Sequence, residues 1–298
     1  MADALNSSPA VEGGAVPACK PWGFWASLAW LALVLALWMW GFNKLEHALL
    51  HGTAFGALIN RSFALGALKL LISFSVPLLV LVTAVRIRRC SVRDYLGWVG
   101  PRGQNVLLGI VLALALQFLI YAVLYLMGAD ITGAAVAQWR AETATGTPHW
   151  WPLLLAWPSI FCAPFVEECV FRGFLWRGWA ESPLGGTGTW LLTTLAFVAF
   201  HIPAAMERDS INAGVMLVTV LLFGLFLGWL RWRTGTTTAP IIAHIILNLI
   251  PPLFAFAAGA MFAGPTSTFM PTNSAACFRI SSTVSAQRNS MTMFVPST

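Results

Sequence analysis

The sequence predicts an all-α, polytopic transmembrane helix bundle of about seven spans with a cytoplasmic N-terminus. Three observations point there. Of 298 residues, 58% are hydrophobic and only 9% charged, whereas an ordinary soluble domain carries about 25% charged residues. Mean hydropathy is +0.76, and the apolar residues fall in runs long enough to cross a bilayer. Arginines collect beside every second run, as the loops on one side of a membrane require. That placement also accounts for the net charge of +6 and the pI near 9.4 without a nucleic-acid partner.

Residues 1–20 are small and polar and read as a disordered cytoplasmic lead, without the basic start and apolar core of a cleavable signal. The first span covers about residues 22–42. Residues 43–62 are mixed, and give an eighth span only if they dip into the bilayer. Within them His47 and His51 stand four apart, a spacing that suits a metal or, as expected here, solvated histidines on a short interfacial helix. The second span, about 63–85, carries Lys69 near its start, expected to snorkel to the headgroups. Arg86, Arg88, Arg89, Arg93 and Arg102 crowd the next loop, which is placed in the cytoplasm. Residues 94–97 in that loop read as an amphipathic surface segment. The third span, about 106–127, holds Gln117, expected to hydrogen-bond between helices.

A polar loop over 128–149 leads to the fourth span, about 151–179. Pro158 and Pro164 interrupt it and predict a kink or break just before Glu167. At membrane depth such a break is tolerated where it lines a protein-walled, watered cavity. The fifth, sixth and seventh spans cover about 187–205, 211–230 and 237–262, with Arg231 and Arg233 marking the cytoplasmic end of the sixth. The bundle thus fills 21–262, and a Ser/Thr/Asn-rich tail over 263–298 is expected to be disordered. Cys19, Cys90, Cys162, Cys169 and Cys277 show no CxxC spacing, so neither a thiolate zinc site nor a disulfide framework is indicated.

Chemistry concentrates in the fourth span. Glu167, Glu168 and Arg172 lie in an apolar run and would cost roughly 8–10 kcal/mol if none were compensated. Glu168 and Arg172 are four apart and share a helix face, so they can pair. Glu167 is turned about 100° away and must look to another helix or to trapped water. A carboxylate so placed suits a general acid or base near neutral pH. The plainer alternative is a buried Glu–Arg clamp that only joins helices.

Two further spans offer partners. His201, with Phe197 one turn earlier on the same face, is the one ionisable group in its stretch. His244 and Asn248 form another i,i+4 pair, one a ligand, acid or donor and the other a neutral amide donor. Each alone reads equally as interhelical polar glue. Their depths agree, however: Glu167 lies ~16 Å, His201 ~16–21 Å and His244 ~10 Å from the cytoplasmic ends of their helices, with Asn248 ~6 Å deeper. One shared site explains that agreement better than separate accidents.

Glu167-Glu168-x-x-x-Arg172, Phe197-x-x-x-His201 and His244-x-x-x-Asn248, in that order on three spans, resemble the motif set of the CPBP family of intramembrane proteases, also called ABI, CAAX protease 2 or Rce1-like. The segment from Gly224 and Gly228 to Arg233 and Gly235 is similar to the family's lead into its last motif. The resemblance covers a core of about 151–250. It implies an endopeptidase acting on membrane-anchored or membrane-spanning protein substrates in the lipid bilayer. Glu167 would activate a water with help from His201, while His244 and Asn248 would bind the oxyanion. Glu168, Arg172 and Phe197 would support the site. A zinc held by His201, His244 and Glu167 is the metal alternative, but there is no HExxH, and a glutamate-activated water without a cofactor is favoured.

Other intramembrane protease classes fit poorly, since no span carries GxSx or a GxGD-type aspartate pair. The non-enzymatic alternative is a membrane scaffold or bacteriocin-immunity-type protein that uses the same polar cluster to bind a partner. A proton-coupled transporter would normally show repeat symmetry, and none is visible. Composition suggests a bacterial inner membrane.

Overall fold

In lipid a backbone can satisfy itself only within helices or closed barrels, and every described element of this chain is a helix. The computed structural model describes residues 19–56, 63–128 and 157–262. In order these form α1 (Phe24–Leu50), α2 (Phe63–Ile87), the short α3 (Val92–Tyr95), α4 (Gly103–Leu126), α5 (158–180), α6 (Gly185–Met206), α7 (Ser210–Thr234) and α8 (Thr238–Phe262). Six of them, α1, α2, α4, α6, α7 and α8, are long and apolar enough to cross a membrane. The protein is an all-α, multi-pass integral membrane protein. Residues 151–156, assigned to the fourth span from the sequence, lie outside the described residues. So do the loop at 129–149, the tail at 263–298 and all of the lead but Cys19 and Lys20.

The acidic helix α5 forms the centre. Every residue from Val166 to Trp176 is buried, and α1, α2, α6 and α8 wall it in. Leu81 and Val85 of α2, Phe171, Phe174 and Trp179 of α5 and Phe197 of α6 belong to one apolar core around it. Helices α6 and α7 pack most closely, because Gly224 and Gly228 put no side chain between them. A Cβ at Gly228 would stand 2.5 Å from Trp190 Cδ1, and one at Gly224 would stand 2.9 Å from Thr194 Cγ2. Helix α4 lies outside, against α8.

Several sequence expectations are corrected by this packing. Residues 94–97 are not a surface segment: Tyr95 and Leu96 are buried. Gly97, at φ 70°, turns the chain so that its carbonyl accepts the Thr237 N–H at 2.9 Å. Lys69 bonds Glu46 at 2.7 Å, because α1 continues past residue 42 and carries Glu46 to face α2. Gln117 is buried, and its Oε1 makes no hydrogen bond among the described residues. His47 and His51 stack on each other, their ring centres 4.3 Å apart.

The cysteines also depart from expectation. Cys19 and Cys90 are disulfide-bonded across 71 positions of sequence, a pairing that only the fold brings together. Beside it Arg88 donates to the carbonyls of Lys20 and Pro21 and lies over the Trp22 ring. The Trp22 N–H in turn donates to the Tyr95 hydroxyl. Burial raises the phenol pKa of Tyr95 above its ordinary value, in keeping with its place inside the bundle.

Candidate functional site

Helix α5 runs through its prolines without a break, widening at two turns. Residues Pro158–Cys162 form one π turn and Cys169–Leu175 a second, with the α-helical stretch Ala163–Glu168 between them. At the first, the Ala163 N–H reaches back five residues to the Pro158 carbonyl. The next bond in that register would join residue 164 to the Ser159 carbonyl, but Pro164 has no N–H to give. Asn248 of α8 supplies the donor instead, its Nδ2 standing 2.9 Å from the Ser159 carbonyl. The prolines foreseen as a break are therefore absorbed as a bulge, a feature frequent at functional sites.

Between the two turns stand the carboxylates. Glu168 is fully buried, and its Oε1 accepts from Arg172 Nη1 at 2.9 Å and from His244 Nδ1 at 2.9 Å. Arg172 also donates through Nη2 to the Gly224 carbonyl at 3.0 Å and lies over the face of Phe197, 4.5 Å from the ring centre. The pairing read from i,i+4 spacing is thus present, with α7 and α8 added to it. Glu167, 9% exposed, turns to the other side, where its Oε2 lies 3.9 Å from His244 Nε2. That separation is beyond direct hydrogen-bond reach. Each nitrogen of His244 therefore faces a different carboxylate.

Phe197 is the hub of the aromatic packing. Its ring contacts His201 at 4.7 Å, His244 at 5.8 Å and Phe171 at 5.4 Å. His201 is half-buried, and its Nδ1 stands 2.8 Å from the Phe197 carbonyl. A carbonyl only accepts, so Nδ1 carries the hydrogen and Nε2 of a neutral ring is left as the acceptor. Both imidazoles lie within electrostatic reach of the Glu167 carboxylate. Glu167, Glu168, Arg172, Phe197, His201 and His244 are thereby brought together from three helices. Asn248 hangs one turn beyond His244, with its amide turned to Ser159.

Residues 149–250 match the Rce1-like family. The family is described as type II CAAX prenyl endopeptidase, Rce1-like. The match spans the three motifs that carried the resemblance in the sequence, and the resemblance holds over that stretch. No curated protein and no solved structure matches the chain.

Within the Rce1-like segment the donors of a metal site are not assembled. Among the described residues no three His, Cys, Asp or Glu side chains form a group that could hold a metal ion. Beside the segment, a groove of about 340 Å³ runs between α1 and α6, lined by Leu31, Leu35, Ala196, Ala199, Phe200 and Pro203. It flanks the turn of α6 that carries His201.

Some residues that build the site were not singled out from the sequence. Arg231 and Thr237 both donate to the Arg172 carbonyl, at 2.9 Å and 3.2 Å. Arg231 looked like a loop arginine at a span end, yet it follows Gly224 by seven residues and Gly228 by three. It therefore shares their buried face, and that spacing was the available signal. Gly173 is a second case: a Cβ there would lie 3.2 Å from the Leu96 carbonyl, so its smallness admits the turn at 94–97.

Proposed function

We propose that the protein is an intramembrane endopeptidase that hydrolyses peptide bonds of membrane-associated substrates. The observation that carries the reading is Glu167, held inside the bundle against His244 while its neighbour Glu168 is separately neutralised by Arg172. One carboxylate is structural, and the other is left to exchange a proton.

In the proposed reaction Glu167 takes a proton from a water, and the hydroxide bonds to the substrate carbonyl carbon. The C=O electron pair moves onto oxygen. Collapse of this tetrahedral oxyanion breaks the C–N bond, and the proton on Glu167 passes to the leaving amine. His201 assists at the water through Nε2. His244 and Asn248 donate to the oxyanion, a stabilisation of about 3–4 kcal/mol per donor in other hydrolases. In that role His244 donates through Nε2, while its Nδ1 stays against Glu168. Asn248 keeps one amide hydrogen beyond the one given to Ser159. The proposed steps use a glutamate-activated water; a zinc held by His201, His244 and Glu167 is the alternative that the chelator arm below tests.

The matched family is described by prenylated CAAX substrates, so prenyl-tailed peptides head the substrates to be tried. The setting proposed is a bacterial cytoplasmic membrane.

A second reading has an observation of its own. Glu168, Arg172 and Asn248 all bond inward to other helices, as they would in a membrane scaffold or immunity-type protein. Protein purified in detergent, assayed on membrane-anchored peptides with and without chelator, separates the two. Cleavage by the native chain, at least about 100-fold slower in Glu167→Gln and unmoved by chelator, is expected. Cleavage undiminished in a folded Glu167→Gln variant overturns the glutamate mechanism. No cleavage of any peptide favours the scaffold.

A further inference from the structure

Arg231 is a buried cation at the end of α7, 8% exposed. Among the described residues no carboxylate is paired with it. Its guanidinium lies 5.6 Å from the centre of the Trp176 ring, and its Nε donates to the Arg172 carbonyl at 2.9 Å. A buried guanidinium without a counter-ion is expensive, and an apolar side chain would fill the same space more cheaply. Its directional donor must therefore matter.

The geometry of α5 says what that donor replaces. In an α-helix the Trp176 N–H would bond the carbonyl four residues back, that of Arg172. Here the π turn carries it instead to the carbonyls of Phe171 and Gly173. The Arg172 carbonyl is taken by Arg231 and by the hydroxyl of Thr237, whose own N–H is fixed to the Gly97 carbonyl. Arg172 is thus held at both ends: its carbonyl by α7 and the start of α8, its guanidinium by Glu168, Gly224 and Phe197. Since Glu168 Oε1 also holds His244, a shift of the Arg172 backbone would move both carboxylates relative to that imidazole.

We infer that Arg231 is a positioning residue: its Nε–H, seconded by Thr237, holds the widened turn of α5 in the register that aims Glu167 and Glu168 at His244. The kinetic consequence rests on the hydrolase reading above; the structural consequence does not.

Two substitutions of nearly equal shape isolate the donor. Arg231→Gln places an amide N–H where Nε stood but removes the charge; Arg231→Met keeps the length and removes both. Two readouts are taken. Peptide cleavage gives kcat and KM, and mass-resolved maleimide labelling reports on Cys169, a free and fully buried thiol at the start of the π turn. For Arg231→Met, kcat falls about tenfold with KM unchanged, and Cys169 labels about tenfold faster. Arg231→Gln restores both to within about threefold of the native chain. Equal behaviour of the two variants in labelling overturns the inference, as does Cys169 labelling unchanged in Arg231→Met. If no peptide is cleaved by the native chain, the hydrolase reading fails while the labelling comparison still decides the role of Arg231. If Glu167→Gln abolishes cleavage but Arg231→Met keeps full kcat, the hydrolase stands and the positioning role falls.

Discussion

The chain uses the same local device in two settings. In α1 the π stretch Ala36–Phe42 lies at the rim, with Leu37 and Trp40 exposed. Among the described residues its one side-chain hydrogen bond is the Trp38 indole N–H to the Ser73 hydroxyl at 3.1 Å. In α5 the π stretch Cys169–Leu175 is buried at every residue, and Arg231 of α7 and Thr237, just ahead of α8, close on its Arg172 carbonyl. A widened turn is tolerated at the rim with little support. At the centre it is stapled, because a buried carbonyl without a donor costs about 1–3 kcal/mol. The bulge becomes a positioning device only where other helices fix it.

Three perturbations sharpen that contrast, in falling order of effect. Arg172→Met removes the cation that compensates Glu168 and should destabilise the fold by about 3–5 kcal/mol, read from unfolding in mixed micelles. A loss under 1 kcal/mol would mean that His244 alone balances the carboxylate. Gly228→Ala drives a methyl group into Trp190 and should cost about 1–3 kcal/mol in the same experiment. It should also slow cleavage if α7 is pushed off the Arg172 carbonyl. At the rim, Trp38→Phe keeps an aromatic ring against Phe200 and loses the bond to Ser73 with part of the indole's bulk. About 0.5–1.5 kcal/mol is expected, with Cys169 labelling unchanged. Labelling that rises as much as in Arg231→Met would erase the distinction between rim and centre.

What the sequence made legible was what depends on one helix. The Glu168–Arg172 pair follows from i,i+4 spacing, and the need of Glu167 for a partner elsewhere follows from the 100° step. The helical class follows from composition and run length. The rest depends on register between helices. Asn248 turns to Ser159 only because Pro164 lies in a π register, which no periodicity in the sequence announces. Arg231 resembled an ordinary charge at a span end, since burial of its tip is set by the crossing of α7 over α5. Lys69 found Glu46, and Cys19 found Cys90, through a helix hairpin whose geometry the chain states nowhere locally.

The turn at 94–97 bears on how separable this molecule is. Leu96 fills the notch at Gly173, and the Gly97 carbonyl anchors the Thr237 N–H at the threshold of α8. Both contacts reach into the family-like stretch from outside it. Residues 149–250 are therefore not a self-sufficient cassette. A chimera that grafts them onto foreign leading helices would have to bring along Tyr95, Leu96 and Gly97, or evolve a substitute wedge.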